Sequence, residues 1–229
     1  MSELRANMMM SLDGYTAGPD QSAENPFGVG GMQLNEWLFP LRAFREMQGE
    51  EGGEVNASNP IVEGWFESIG ATVMGRNMFG GGPGLWGPDP WMGFWGDEPP
   101  YHHLVFVLTH HAREPVEMEG GTTFHFVTDG IESALAQARD AAGGKDVSLG
   151  GGASTVQQYL AAGLVDEILI SLVPVFLGRG TRLFDNLGET HRDRSRWRRS
   201  RRLVSRTSAT ASLVTVREHP DSSVTSLTR

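Results

Sequence analysis

Three short segments carry the residue types that hold phosphates. Gly150-Gly151-Gly152 stands between a run that reads as a strand and one that reads as a helix. Such a turn lets backbone N–H groups converge at a helix N-terminus, whose partial positive charge suits a phosphate or pyrophosphate. A tight turn with close packing would use the same triplet, and its glycines lack the separated spacing of the dinucleotide fingerprint. Gly75-Arg76-Asn77 follows an apolar run. An arginine there offers a bidentate fork to phosphate, or pairs with one of the chain's many acids at the surface. Thr109-His110-His111 ends another apolar run with a hydroxyl and two imidazoles, which would grip a phosphate or simply be solvated. Adjacent histidines at an extended strand end do not converge on one ion, so no metal site is expected.

These segments must be positioned by the elements around them. Residues 4–12 read as a strand ending in the turn dipeptide Asp13-Gly14, and 15–18 continue extended before a loop over 20–31. Leu34, Trp37, Leu38, Leu41 and Phe44 repeat at helical spacing, and an acidic, glycine-rich loop follows over 49–58. Asn59-Pro60 opens a second helix with Ile61, Trp65, Phe66 and Ile69 as its apolar stripe, closed by Gly70. Residues 71–74, 104–108, 123–127, 147–149 and 165–173 read as strands. Asp129 and Glu132 have capping-box spacing for a helix carrying Ile131, Leu135, Ala138 and Ala142, and 154–162 form another helix. Residues 80–100 are rich in Gly, Pro and Trp without periodicity and read as a long ordered loop whose rings either wall a pocket or cover the sheet edge. Residues 201–205 and 211–218 suggest a closing antiparallel hairpin, and 219–229 a frayed tail. Strands alternating with helices imply an α/β fold, here a single domain over 1–218.

Composition narrows the function classes. The 229 residues include no cysteine, which excludes disulfides, thiolate nucleophiles and thiolate metal sites. The longest apolar stretch, 168–177, contains Pro174 and falls short of the ~20 residues a bilayer span needs. No secretory leader is visible in the first residues, and a cytoplasmic location is expected. Net charge is -9, split into -12 over residues 1–120 and +3 over 121–229. The basic excess sits in Arg192, Arg194, Arg196, Arg198 and their neighbours around Trp197, a modest nucleic-acid signal. No aromatic stacking pattern accompanies it, so a solvent-facing stripe is preferred and no nucleic-acid partner is expected.

Taken in order, Ser11-Leu12-Asp13-Gly14-Tyr15, Val73-Met74-Gly75-Arg76-Asn77-Met78-Phe79, Gly150-Gly151-Gly152, Ala162-Gly163-Leu164-Val165-Asp166-Glu167 and Pro174-Val175-Phe176-Leu177-Gly178-Arg179-Gly180 resemble the dihydrofolate reductase superfamily. Within it they are most similar to the C-terminal reductase domain of the bacterial bifunctional riboflavin-biosynthesis deaminase-reductase, over roughly residues 4–218. The resemblance implies a mixed, mostly parallel sheet flanked by helices with an antiparallel C-terminal hairpin, and an NADPH-dependent reductase. It implies that Gly75, Arg76, Asn77, Thr109 and His110 hold the adenosine 2'-phosphate. Gly150, Gly151, Gly152, Ala153 and Ser154 would receive the pyrophosphate, and Ala17 and Gly18 border the nicotinamide. Met78 departs from the family's usual threonine, and His110 stands where a stronger cation would be expected. The family's zinc deaminase half requires cysteine ligands, which this chain lacks.

Hydride transfer to a C=N bond also needs a proton, and the resemblance points to Asp13 and Glu63 as donors or water-orienting groups. Asp13 would otherwise shape its turn, and Glu63 would be an exposed first-turn carboxylate. The expected substrate is a small flat heterocycle or carbonyl/imine compound, of riboflavin-pathway pyrimidine or pterin type. A non-catalytic nucleotide-binding protein on the same fold is the alternative. A homodimer is expected from family habit and the apolar strand at 168–173.

Overall fold

A computed structural model describes residues 2–82, 84–88, 91–188, 197–200 and 212–218. Strand β1 (Leu4–Ser11) leads through an Asp-Gly turn to the short β2 (Tyr15–Ala17). Helices α1 (Arg42–Met47) and α2 (Asn59–Glu63) precede β3 (Ile69–Gly75), which runs into the single turn α3 (Arg76–Phe79). Then come β4 (Leu104–Leu108), β5 (Val116–Glu117), β6 (Thr123–Val127), α4 (Ile131–Ala141), β7 (Asp146–Leu149), α5 (Ala153–Ala161), β8 (Glu167–Val173) and β9 (Thr181–Arg182). Strands β10 (Trp197–Ser200) and β11 (Ser212–Glu218) follow.

Among the described residues nine strands form one sheet in the order β10-β11-β8-β1-β7-β3-β4-β6-β5, and β2 pairs with β9 separately. The six from β8 to β6 are parallel, while the pairings β10 with β11, β11 with β8 and β5 with β6 are antiparallel. This is the mostly parallel mixed sheet flanked by helices that the resemblance implies. A parallel sheet is buried on both faces, which is why β3 and β4 read as continuous apolar runs rather than alternating ones. On one face Ala71, Val73, Leu149 and Ile170 pack against Ala134, Leu135 and Ala138 of α4 and Val156, Tyr159 and Leu160 of α5. On the other, Met74, Val105, Val107 and Phe124 meet Phe79 and rings of the 80–100 segment, while Leu38, Leu41, Ala43 and Val62 form a separate cluster with Met9, Trp37 and Trp65.

Several local expectations are corrected. The periodic stretch 34–44 is not one helix: a 3-10 turn over Gly31–Leu34 passes through further turns to α1, because Pro40 lacks the N–H a continuous helix needs there. Leu34, Leu38 and Leu41 are nevertheless all buried. The second helix stops at Glu63, well before Gly70, and its N-cap is Ser58. Asn59 instead accepts from the Ala43 backbone N–H at 2.9 Å, tying α2 to α1. Helix α4 starts from Gly130 without a side-chain cap, so the capping box does not form. The hairpin's first strand lies at 197–200. Residues 201–205, the tail 219–229 and most of the arginine run, including Arg192, Arg194 and Arg196, lie outside the described residues. Strand β8 is internal, flanked by β1 and β11.

Candidate active-site cleft

The strand order creates a crevice. From β3 the chain continues to β4 and β6 on one side, whereas from β7 it continues through α5 to β8 on the other. Neighbouring strands whose connections leave in opposite directions open a gap at their carboxyl ends, where ligands bind in open α/β sheets. Gly75 ends β3 and Gly150 follows β7, so both glycine segments meet at this point. Gly75 N–H donates to Gly151 O at 2.7 Å and Gly150 N–H to Val73 O at 2.8 Å. A Cβ on Gly75 would collide with Thr155 Oγ1 in the first turn of α5, so this glycine is required by close approach.

Three hollows line up along the crevice. The central cleft, about 450 Å³, is bordered by Gly150, Gly151, Gly152, Ala153 and Ser154 together with Ala17, Asn77, Met78, Phe94 and Trp95. It shares Asn77 and Ser154 with an outer hollow of about 310 Å³ that Gly75, Arg76, Thr109, His110 and Gln158 also line. It shares Asn7, Met8, Met9, Met78 and Gly150 with an inner chamber of about 180 Å³. That chamber is walled by Trp65, Phe66 and Tyr101, and Thr72, Ser148 and Ser171 reach it from β3, β7 and β8. Burial raises the Tyr101 phenol far above its usual pKa, so its O–H stays protonated.

In the outer hollow the Arg76 guanidinium donates to Gly80 O at 3.1 Å, Gly81 O at 3.3 Å and Thr109 Oγ1 at 3.3 Å. Its carbon lies 3.1 Å from the centroid of the Trp86 ring, which Arg113 also approaches at 4.8 Å. Burial and then the Arg113 charge lower its pKa, though an arginine stays protonated throughout. It takes part in no ion pair among the described residues. The 80–100 segment divides between both readings of its rings. Trp86 packs on Phe79 and Phe126 over the sheet, and Trp91 donates to Phe79 O at 2.8 Å, whereas Phe94 and Trp95 border the cleft.

A family model for the RibD C-terminal domain matches residues 2–209. The chain belongs to that family. Its fold is also that of three solved structures. A putative riboflavin biosynthesis protein from Shewanella sp. PV-4 is 20% identical with a TM-score of 0.57, covering 95% of this chain and 99% of the other. A Thermotoga maritima diaminohydroxyphosphoribosylaminopyrimidine deaminase/5-amino-6-(5-phosphoribosylamino)uracil reductase is 15% identical with a TM-score of 0.55, over 95% of this chain and 57% of that one. Dihydrofolate reductase from Enterococcus faecalis, complexed with NADP(H) and RAB-propyl, is 15% identical with a TM-score of 0.51, over 94% and 96% of the two chains. A search of the curated proteins finds no match.

In this RibD C-terminal domain chain, the expected cofactor segments converge: Ala17, Asn77, Ala153, Ser154 and the three glycines border the cleft, and Gly75, Arg76, Thr109 and His110 the outer hollow. Three expected residues stand apart. Gly18 lies under the backbone of the 27–29 loop, where a Cβ would strike Val29 O. Asp13 accepts from Ser11 Oγ at 2.6 Å, Leu177 N–H at 3.2 Å and Gly178 N–H at 2.7 Å, so its oxygens join the end of β1 to the 177–178 loop. The Ser11 bond leads in lowering its pKa, with the two backbone donors adding to it. Glu63 is exposed, pairing with Arg42 at 3.3 Å and accepting from Asn59 Nδ2 at 2.7 Å. Neither carboxylate borders the cleft, and their placement gives no support to proton donation. Reading the sequence for motifs missed Asn7, Thr72, Ser148 and Ser171. Each is an uncharged polar residue within a mostly apolar strand.

Proposed function

We propose that this chain is an NADPH-dependent reductase that delivers a hydride to a C=N or C=O bond of a flat heterocycle of the riboflavin-precursor or pterin kind. One observation carries the reading: a glycine-lined cradle at the switch point of a parallel sheet opens directly into an aromatic-walled chamber. Family membership and the NADP(H) named in the Enterococcus structure support the choice of cofactor, and the reductase named in the Thermotoga structure supports the reaction class. The chain spans 57% of that bifunctional protein's length and has no cysteine for the deaminase chemistry.

The residues present fit a nicotinamide dinucleotide. A Cβ on Gly152 would meet nothing within 4 Å, so the turn faces open space. The first-turn N–H groups of Ala153 and Ser154 have no acceptor within a helix and border the same space. Gly150 to Ser154 would hold the pyrophosphate, and Gly75, Arg76, Asn77, Thr109 and His110 the 2'-phosphate. Ala17, on the cleft wall, would flank the nicotinamide. NADPH supplies hydride when bound, and the chain's groups must orient the acceptor and provide a proton path. No carboxylate borders the three hollows among the described residues. The inner wall instead offers the Thr72 hydroxyl, held at 2.8 Å by His103 Nε2. His103 is kept neutral by burial first and then by His102 and Lys145, with its pKa lowered to about 4.

Mixing the purified protein with NADPH and a panel of pyrimidines and pterins, while following absorbance at the nicotinamide band, tests the proposal. Substrate-dependent oxidation is expected. Cofactor binding without oxidation across the panel would favour the nucleotide-binding alternative, and absence of binding would overturn both.

A further inference from the structure

The aromatic segment over 80–100 reaches the outer hollow as well as the cleft. Gly84 lines that hollow, and two residues on the Arg76 guanidinium lies over the Trp86 ring, its carbon 3.1 Å from the ring centroid. The indole is itself fixed. Its N–H donates to His111 O at 2.9 Å, and its ring meets Phe79 and Phe126 edge to face at centroid distances of 6.0 and 5.1 Å. The Thr109 hydroxyl is set from the same turn, accepting from His111 N–H at 3.2 Å and from Arg76 at 3.3 Å. Trp86 therefore ties together the two strand ends that border the hollow, 75–77 and 109–111. Arg113 also approaches the ring at 4.8 Å and donates to Trp91 O at 2.5 Å, bracing the segment that carries the indole.

A guanidinium carries five N–H donors in a planar fork. In Arg76, Nε, Nη1 and Nη2 donate to Gly80 O, Thr109 Oγ1 and Gly81 O, which leaves each terminal nitrogen one further N–H. These partners and the ring are uncharged, so they fix the direction of the fork without cancelling its charge. A long side chain that becomes ordered only on binding loses part of its contact energy to its own immobilisation. Stacking on the indole removes that loss, because the guanidinium plane is held before any ligand arrives. We propose that Trp86 is a positioning residue for phosphate-monoester recognition at the outer hollow: by stacking on Arg76 it presets the fork, and through it the choice of NADPH over NADH. The cofactor half of this rests on the nicotinamide-dinucleotide reading of the crevice, whereas the anion contact needs only the phosphate ester.

Calorimetry with two ligand pairs, NADPH against NADH and 2'-AMP against 5'-AMP, tests the proposal, with thermal unfolding as the check on folding. The wild-type chain should prefer the 2'-phosphorylated member of each pair. Trp86→Leu and Trp86→Met, which fill the site without a ring, should each lower both preferences by about two- to tenfold, the range for ordering one long side chain, and leave NADH binding unchanged. Trp86→Phe keeps a ring face and should hold both preferences within about twofold of wild type. In an Arg76→Ala background Trp86→Leu should change neither preference further, since the indole acts through the guanidinium. Unchanged preferences in a folded aliphatic variant overturn the proposal, as do equal losses for both members of a pair or a loss that persists without Arg76. A check that needs no Trp86 variant is the Arg76 Nε–H resonance of the ligand-free wild type, identified by its disappearance in Arg76→Ala. It should carry the ring-current shift of a group stacked on an indole, and an unshifted resonance overturns the proposal. A 2'-AMP preference without binding of either complete cofactor would leave the anion contact standing and remove the reductase reading. Equal affinity for NADPH and NADH would keep a dinucleotide site and remove the role of Trp86.

Discussion

Arg76 is held by two backbone carbonyls and Thr109 under the Trp86 ring, so its fork is preset beside the outer hollow rather than swinging in solvent. If it serves the 2'-phosphate of the proposed cofactor, a charge-assisted bond of about 1.5–3 kcal/mol is at stake. Arg76→Ala should weaken NADPH binding by about ten- to a hundredfold and NADH binding little, measured by calorimetry with each cofactor. Equal losses would assign Arg76 to holding the Gly80–Gly81 loop. His103 makes a second prediction. Its pKa falls from 6.5 when unfolded to about 4 when folded, so the unfolded chain binds the extra proton between those values. Stability from this group is therefore full above pH 6.5 and declines as pH falls toward 4. Because His103 is partly exposed, the discounted loss is on the order of 1–2 kcal/mol. His103→Gln should flatten that part of the stability profile in urea titrations at stepped pH.

At the scale of elements, the site depends on how closely the end of β3 approaches the start of α5. Gly75→Ala should destabilise the fold by about 1–3 kcal/mol, because the new methyl meets the buried Thr155 hydroxyl. Thr155→Ala in the same chain should recover part of the loss. Denaturant midpoints of the two single variants and the double variant check this, and strict additivity would sink the steric account. Element boundaries were legible where one residue decides them. Asp13-Gly14 ends β1, and Gly150 follows β7. They were not legible over 34–44, where buried leucines at helical spacing are carried by successive turns around Pro40, since periodicity records burial and not hydrogen bonding.

For the whole molecule, the apolar strand that suggested a homodimer is covered within its own sheet by β1 and β11. The dimer remains our proposal on other grounds: Phe176 is 73% exposed and Phe184 48%, beyond the end of β8. Sedimentation at micromolar concentration should show a species of twice the chain mass, and a single 25.0 kDa species would refute it. With a net charge of -9 we also expect no nucleic-acid affinity. Sub-micromolar, salt-sensitive gel shifts lost in Arg198→Ala/Arg199→Ala would reverse that expectation. No helix among the described residues is long and apolar enough to cross a membrane.

By itself the sequence determined the alternation of strands and helices and the glycine and arginine turns at strand ends. Apolar period and the backbone freedom of glycine are local properties, readable a few residues at a time. Only the tertiary structure decided which strands are neighbours. Inserting β7 between β1 and β3 opened the crevice and brought Asn7, Thr72, Ser148 and Ser171 to one chamber from positions far apart in the chain. The same packing turned Asp13 toward the 177–178 loop and Glu63 toward Arg42. Strand order follows from the burial of both sheet faces at once, a property of the whole chain that no local pattern contains.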